Sequence, residues 1–227
     1  ISSYALKHVF SITDPISIDA RNRKLDVWTK HMNGSRDIFL KYTSKRAGVA
    51  NGWKKWQGEV LGLKLNNVMA KKQAYEKEFQ KWADEDETLP YADELLPKMK
   101  SAAESVENLL YRDQYNKEAV LGVELIQQGA AFERAINCFR LGLADDKLAD
   151  TIKKVMKDMG GFSKNYDPAT DKDVFISLMT LYFTKCANNL PDHYVKAYKA
   201  HNQDIVPWAQ DIYLSLIHIS EPTRPER

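Results

Sequence analysis

The stretch from Tyr42 to Trp82, YTSKRAGVANGWKKWQGEVLGLKLNNVMAKKQAYEKEFQKW, contains no proline. Its large apolar residues fall at Tyr42, Val49, Trp53, Trp56, Val60, Leu63, Val68, Tyr75, Phe79 and Trp82. Gaps of three, four and seven put these side chains on one face of a helix. Continuous helix over this span would measure on the order of 60 Å, at about 1.5 Å per residue. Such a helix is not stable alone in water, so the rest of the chain must supply helices that cover it. Gly48, Gly52, Gly58 and Gly62 lie inside the span, each about 1 kcal/mol less favourable than Ala in a helix. Because the apolar face keeps its register on both sides, the pattern favours a continuous or gently bent helix over a break at Gly58 or Gly62.

The flanking chain reads as further helices. Asp14-Pro15 is a start signal, with Asp14 as cap and Pro15 at the first helical position. That helix should run to about Met32 and end at Asn33-Gly34, and Ser35 is a suitable cap for the next. The acidic run Asp84–Glu87 and Leu89-Pro90 predict a turn. Helix should resume near Pro97 and continue to about Leu141, with a kink between Asp113 and Asn116. A shorter helix over Asp145–Met159 should be capped by Gly160-Gly161, and the next should start at Thr170 or Asp171 and end near Asn188-Asn189. A last helix should cover Asp192–Tyr213. No alternating β-branched run predicts a strand. The expected class is all-α.

Charge suggests how the two longest segments meet. Residues 41–82 hold ten Lys or Arg against three Glu, a net of +7, and residues 84–118 hold ten Asp or Glu against four Lys or Arg, a net of −6. Opposite sign across a short turn predicts an elongated bundle built on a long antiparallel helical hairpin, the charges serving orientation more than stability. The whole chain is nearly neutral, at +2, which gives no reason to expect nucleic acid as a partner. No apolar run approaches the ~20 residues a membrane helix needs, and Ile1 is not followed by a signal-peptide pattern. Cys138 and Cys186 read as buried thiols.

Motifs for chemistry are sparse. There is no phosphate-cradling glycine loop, no HExxH or CxxC, and no GxSxG or other serine-nucleophile segment. No two of His8, His31, His193, His201 and His218 are three or four residues apart, so helical metal-ligand spacing is absent. No metal or cofactor is expected. The carboxylate clusters at Asp84–Asp86, Asp145-Asp146 and Asp171 with Asp173 sit where helices begin, and capping accounts for them.

Within the opening stretch, the set Tyr42, Ser44, Lys45, Ala47, Gly48, Ala50, Asn51, Trp53, Lys54, Lys55, Trp56, Gly58 and Glu59 resembles a segment of the bacterial dipeptidyl-peptidase 7/11 family of serine peptidases. Gly62-Leu63-Lys64, Lys71-Lys72-Gln73 and, upstream, Arg23, Leu25 and Asp26 fit the same pattern. The resemblance is strong over roughly Tyr4–Trp82 and weaker to Tyr213. It implies a helical cap domain inserted in a chymotrypsin-like double β-barrel, with the catalytic triad and the amino-terminus pocket outside this chain. The parent would release dipeptides from peptide N-termini, would reside in the periplasm or at the cell surface of a Gram-negative bacterium, and could be a homodimer. This chain alone should be inactive, and its partners would be the peptide substrate and the β-barrel domain. Polar and aromatic residues mixed on one helix make Tyr42, Asn51, Trp53 and Trp56 the candidates for a face turned to the peptide cleft or the barrel. The alternative reading is a stand-alone helical protein-interaction module.

The end of the chain, LSLIHISEPTR and the residues after it, resembles a translated sequencing-library adapter. Helical patterning is expected to stop at Tyr213, so Ile1–Tyr213 is read as the domain and Leu214–Arg227 as a non-native tail, the natural chain continuing past Tyr213.

Overall fold

The computed structural model describes residues 2–85, 88–89, 94–142 and 145–220. Among these every regular element is helical, as the patterning predicts. The chain falls into two compact units. The first joins Ile1–Asn22 to Val49–Glu118, and the second joins Arg23–Gly48 to Ala119–Arg227.

Helix α1 (Ser3–His8) is capped by Ser2, whose hydroxyl accepts the Ala5 N–H at 3.2 Å. A π-helical turn (Val9–Thr13) then leads without interruption into α2 (Asp14–Gly34). Asp14 was expected to start a helix, but it lies inside one, at φ −72° and ψ −46°. Pro15 has no N–H, and its ring crowds the carbonyl four residues back. The wider turn, closed by the Asp14 N–H on the Val9 carbonyl, gives that ring room.

Helix α3 (Arg36–Leu65) begins after Ser35, whose hydroxyl accepts the Ile38 N–H at 3.4 Å. The long helix expected over Tyr42–Trp82 is broken, and not at a glycine. It divides at Asn66-Asn67, and α4 (Val68–Asp84) follows. Asn67 takes the left-handed conformation at φ 51°, which asparagine tolerates better than most residues. The Asn66 side chain donates to the Gly62 carbonyl at 2.9 Å, a second bond to the oxygen that already accepts the Asn66 N–H at 3.1 Å. Gly58 and Gly62 stay helical.

In the first unit, α1 packs on both α4 and α5 (Leu95–Tyr115). Leu6, Ile12, Ile16, Ala20, Ala83 and Tyr115 are buried there. An open groove of about 910 Å³ is lined by Tyr4, by Gln73 and Gln80 of α4, and by Leu96 and Lys100 of α5. A smaller recess beside it brings Met69 and Gln73 to Lys100 and Glu107. Moving back along α4 therefore moves forward along α5, the antiparallel course expected of the hairpin, with α1 seated against both arms. The acidic arm finds cations elsewhere than foreseen. Glu107 meets Lys7 at 3.3 Å and Glu118 meets Arg21 at 3.0 Å, both from the N-terminal segment. The turn expected across Asp84–Pro90 lies partly outside the described residues.

The second unit is organised on α8 (Pro168–Lys185). Val174, Phe175, Leu178, Met179, Leu181 and Tyr182 are all at most 2% exposed, so this helix is apolar nearly all round and central. Its cap is Asp167, ahead of the expected Thr170 or Asp171. Asp167 Oδ2 accepts the Thr170 N–H at 2.8 Å, and Pro168 takes the first turn. Helix α6 (Glu124–Arg140) packs on α7 (Asp145–Lys164). Between α5 and α6 lie a π-helical turn (Asn116–Val120) and a short break, close to the expected kink. Gly160 and Gly161 do not end α7. Beyond them Phe162 stacks on Tyr166 with ring centroids 4.4 Å apart, which holds the last turn.

The segment expected as one helix from Asp192 to Tyr213 is two, α9 (Asp192–Ala200) and α10 (Ile205–Ser220). Pro207 cannot sit deep inside a helix, and here it falls in the first turn of α10, where the Asp204 carboxylate accepts the Val206 N–H at 2.9 Å. Helix α10 also continues past Tyr213 to Ser220 rather than stopping there. No described helix is long and apolar enough to cross a membrane.

Candidate functional site

The four residues singled out from the sequence are all on α3 but do not share a setting. Tyr42 is in the second unit; Asn51, Trp53 and Trp56 are in the first. Tyr42 is fully buried, edge-on to Trp28 with ring centroids 5.3 Å apart. Its hydroxyl oxygen accepts the Asp167 N–H at 3.4 Å, and Lys45 Nζ lies 4.3 Å above its ring. Burial, followed by the nearby Glu124 charge, drives its phenol well above the ordinary range. Asn51 is exposed. Trp53 is half-buried, and its indole N–H has no hydrogen-bond partner among the described residues.

Trp56 is half-buried beneath a guanidinium. The Arg21 Cζ sits 4.2 Å from the Trp56 ring centroid, a cation–π arrangement. The same guanidinium reaches Glu118 through Nε at 3.0 Å and Nη2 at 3.5 Å, a forked pair. Gly52 makes the arrangement fit, because a Cβ there would stand 2.4 Å from Arg21 Nη1. One turn further along α3, Lys55 and Glu59 act on Asp14. That carboxyl is 2% exposed, and its Oδ2 has no hydrogen-bond partner among the described residues. Burial, with help from the Glu59 charge and against that of Lys55, raises it to about 6.

The second unit holds a buried polar node. Asp171 on α8 receives four hydrogen bonds. Oδ1 accepts the Glu124 N–H at 2.9 Å, while Oδ2 accepts the Leu125 N–H at 3.0 Å, the Tyr213 hydroxyl at 2.8 Å and the Tyr166 hydroxyl at 3.2 Å. Asp171 therefore caps α6, a helix remote from it in sequence, rather than its own. Lys45 Nζ donates to Glu124 Oε2 at 2.7 Å and to the Asn165 carbonyl at 2.5 Å. Burial raises the Glu124 carboxyl and Lys45 opposes it. Of the buried side-chain oxygens and nitrogens in this node, only Glu124 Oε1 lacks a partner among the described residues, so its chemistry is structural: it fixes α3, α6, α8 and α10 to one another. Sequence reading put Asp171 at a helix start and missed its partner, because a cap supplied from another helix leaves no local signal. Arg21 was likewise not singled out. Among the described residues no group of three His, Cys, Asp or Glu side chains could hold a metal ion.

Comparison with known proteins bears on the family and the fold. The model of the family described as Peptidase S46 matches residues 1–223. An Asp/Glu-specific dipeptidyl-peptidase of Flavobacterium psychrophilum is 32% identical over 186 residues, which cover 82% of this chain and 26% of that protein. A dipeptidyl-peptidase 7 of Capnocytophaga gingivalis is 22% identical over 214 residues, covering 94% of this chain and 30% of the relative. The crystal structure of Porphyromonas endodontalis DPP11 in complex with the dipeptide Arg-Glu superposes with a TM-score of 0.73 at 19% identity, over 98% of this chain and 33% of that one. The chain thus spans between a quarter and a third of the length of these relatives, and it belongs to the peptidase S46 family.

Proposed function

We propose that this chain is the helical cap domain of a serine-type dipeptidyl-peptidase that releases dipeptides from peptide N-termini, and that it is inactive by itself. The observation that carries the reading is the fold match: nearly the whole chain is covered, and only a third of the DPP11 chain. A domain of that share, all-helical among its described residues, suits a part that closes over substrate while another domain performs the chemistry. The double β-barrel of the parent would supply the triad. The relatives' printed activities, dipeptidyl-peptidase 7 and Asp/Glu-specific dipeptidyl-peptidase, make a peptide with a free amino terminus the substrate class. The periplasm or cell surface is the matching location, residues 1–213 are the domain, and 214–227 are foreign to it.

Within the domain, Asn51 with Trp53 and Trp56 forms the face turned to the cleft or the barrel, and Tyr42 supports α3 from the second unit's core. The decisive experiment compares residues 1–213 with the full-length enzyme extended from its source DNA, using dipeptidyl chromogenic substrates. Turnover is expected from the full-length enzyme only. Turnover by the isolated chain, or a full-length protein that captures partners without cleaving peptides, overturns the proposal; the second outcome would favour an interaction module.

A further inference from the structure

We propose that Arg21 is a positioning residue for the Asn51 face, holding the turn of α3 that presents Asn51. This rests on the reading that Asn51 meets the peptide. Three neighbours fix the guanidinium at once: the Trp56 ring at 4.2 Å, the Glu118 carboxylate at 3.0 and 3.5 Å, and the Gly52 backbone, which leaves no room for a side chain. A planar, delocalised cation suits this slot, since it can stack on one partner while forking to another. Gly52 adjoins Asn51 directly, and Trp56 is about one turn further on, so the guanidinium braces the backbone that follows the exposed amide.

The placement along the chain adds to the case. The chain passes between its two units after Asn22, after Gly48 and after Glu118. Arg21, Gly52 and Glu118 each lie within four residues of one of these passages. Within the first unit, one guanidinium therefore joins three elements, α2, α3 and the π-helical turn after α5, near three ends of the unit's two chain segments. A group tying three elements beside one exposed amide sets that amide's position more than it adds to a core. Loss of the tie should weaken substrate binding and leave the chemical step, carried by groups elsewhere, intact.

The test uses the full-length enzyme with Gly52→Ala, Arg21→Ala, Arg21→Lys and Asn51→Ala, reading kcat, KM and the thermal midpoint. Gly52→Ala and Arg21→Ala should raise KM by roughly tenfold with kcat held within about twofold. Arg21→Lys should recover part of the loss, since it keeps the cation but not the fork. Gly52→Ala is the decisive variant if Arg21→Ala does not fold, because its methyl group meets the guanidinium end of Arg21 and otherwise only the Trp56 ring, at ordinary contact distance. An unchanged KM in Gly52→Ala, or a loss confined to kcat or to the thermal midpoint, overturns the proposal. If Asn51→Ala raises KM and Gly52→Ala does not, the brace is wrong and the face survives. If Asn51→Ala changes nothing, the face reading itself fails, and the brace with it.

Discussion

The Tyr213 hydroxyl donates to Asp171 Oδ2 at 2.8 Å, with both side chains at most 3% exposed. The same carboxylate takes the Glu124 and Leu125 N–H groups that open α6. Asp171 thus ties α10 and α6 to the central helix through one charged group. Removing it leaves two helix-end donors and two phenols without their acceptor, the Glu124 N–H and the Tyr213 hydroxyl among them fully buried. Asp171→Ala should cost about 3–5 kcal/mol, against about 1–2 kcal/mol for Tyr213→Phe, which removes a single donor. Chemical unfolding of the single and double variants would check this. The two losses should fall short of additive, because both act on one network; strict additivity would refute the shared node.

Asp14 gives the first unit a pH dependence of definite sign. Its carboxyl is raised from 3.8 to about 6 in the fold, so the folded state holds the proton more tightly than the unfolded chain. Stability from this group is fully present below about pH 4, falls as pH rises, and is gone above about pH 6. The difference is on the order of 2–3 kcal/mol. Asp14→Asn keeps the shape without the charge. It should unfold at higher denaturant than wild type at pH 7.5, and the gap should shrink at pH 4.5. Parallel pH profiles for the two proteins would rule out Asp14 as the source.

The two Asp-Pro pairs show what was legible in the sequence and what was not. Asp14-Pro15 and Asp167-Pro168 carry the same start signal, yet only Asp167 caps a helix. At Asp14 the preceding segment, Ser3–Thr13, is itself helical and packed on α4 and α5. Tertiary contact carried the helix through the proline by way of a π-helical turn. The helical class followed from periodicity, the Ser35 start from its capping hydroxyl, and the antiparallel arms from opposite charge on two segments adjacent in sequence, all signals that lie close together in the chain. Asp171 and Arg21 owe their roles to partners some 46 and 97 residues away, and no window of local sequence contains both ends. The α3–α4 break leaves no mark in the apolar spacing, which keeps its register across Asn66-Asn67.

That pair can be tested at Asn67. Left-handed backbone costs an ordinary L-residue roughly 1–2 kcal/mol, asparagine less, and glycine almost nothing. At φ 51°, Asn67→Gly should therefore leave the thermal midpoint unchanged or raise it slightly. Asn67→Ala should lower stability by about 1 kcal/mol. If Ala were the better residue here, α3 and α4 would be one continuous helix in solution.

Asp167 offers the complementary measurement at a helix start. Its Oδ2 accepts both the N–H and the hydroxyl of Thr170, at 2.8 and 2.6 Å, and its own N–H donates to the Tyr42 hydroxyl. Only the side-chain bonds are lost in Asp167→Ala, since the backbone donor remains. The expected cost is about 1–2 kcal/mol. Asp167→Asn should restore most of it, because the amide oxygen still accepts from the helix end. Tyr42→Phe removes the other contact and leaves Asp167 N–H without its acceptor, for a cost of about 1 kcal/mol. Hydrogen exchange at the Thr170 amide distinguishes the two, since only the cap variants should speed it. Acceleration by Tyr42→Phe of the same size would mean that the α8 start is held chiefly by Tyr42 rather than by the cap.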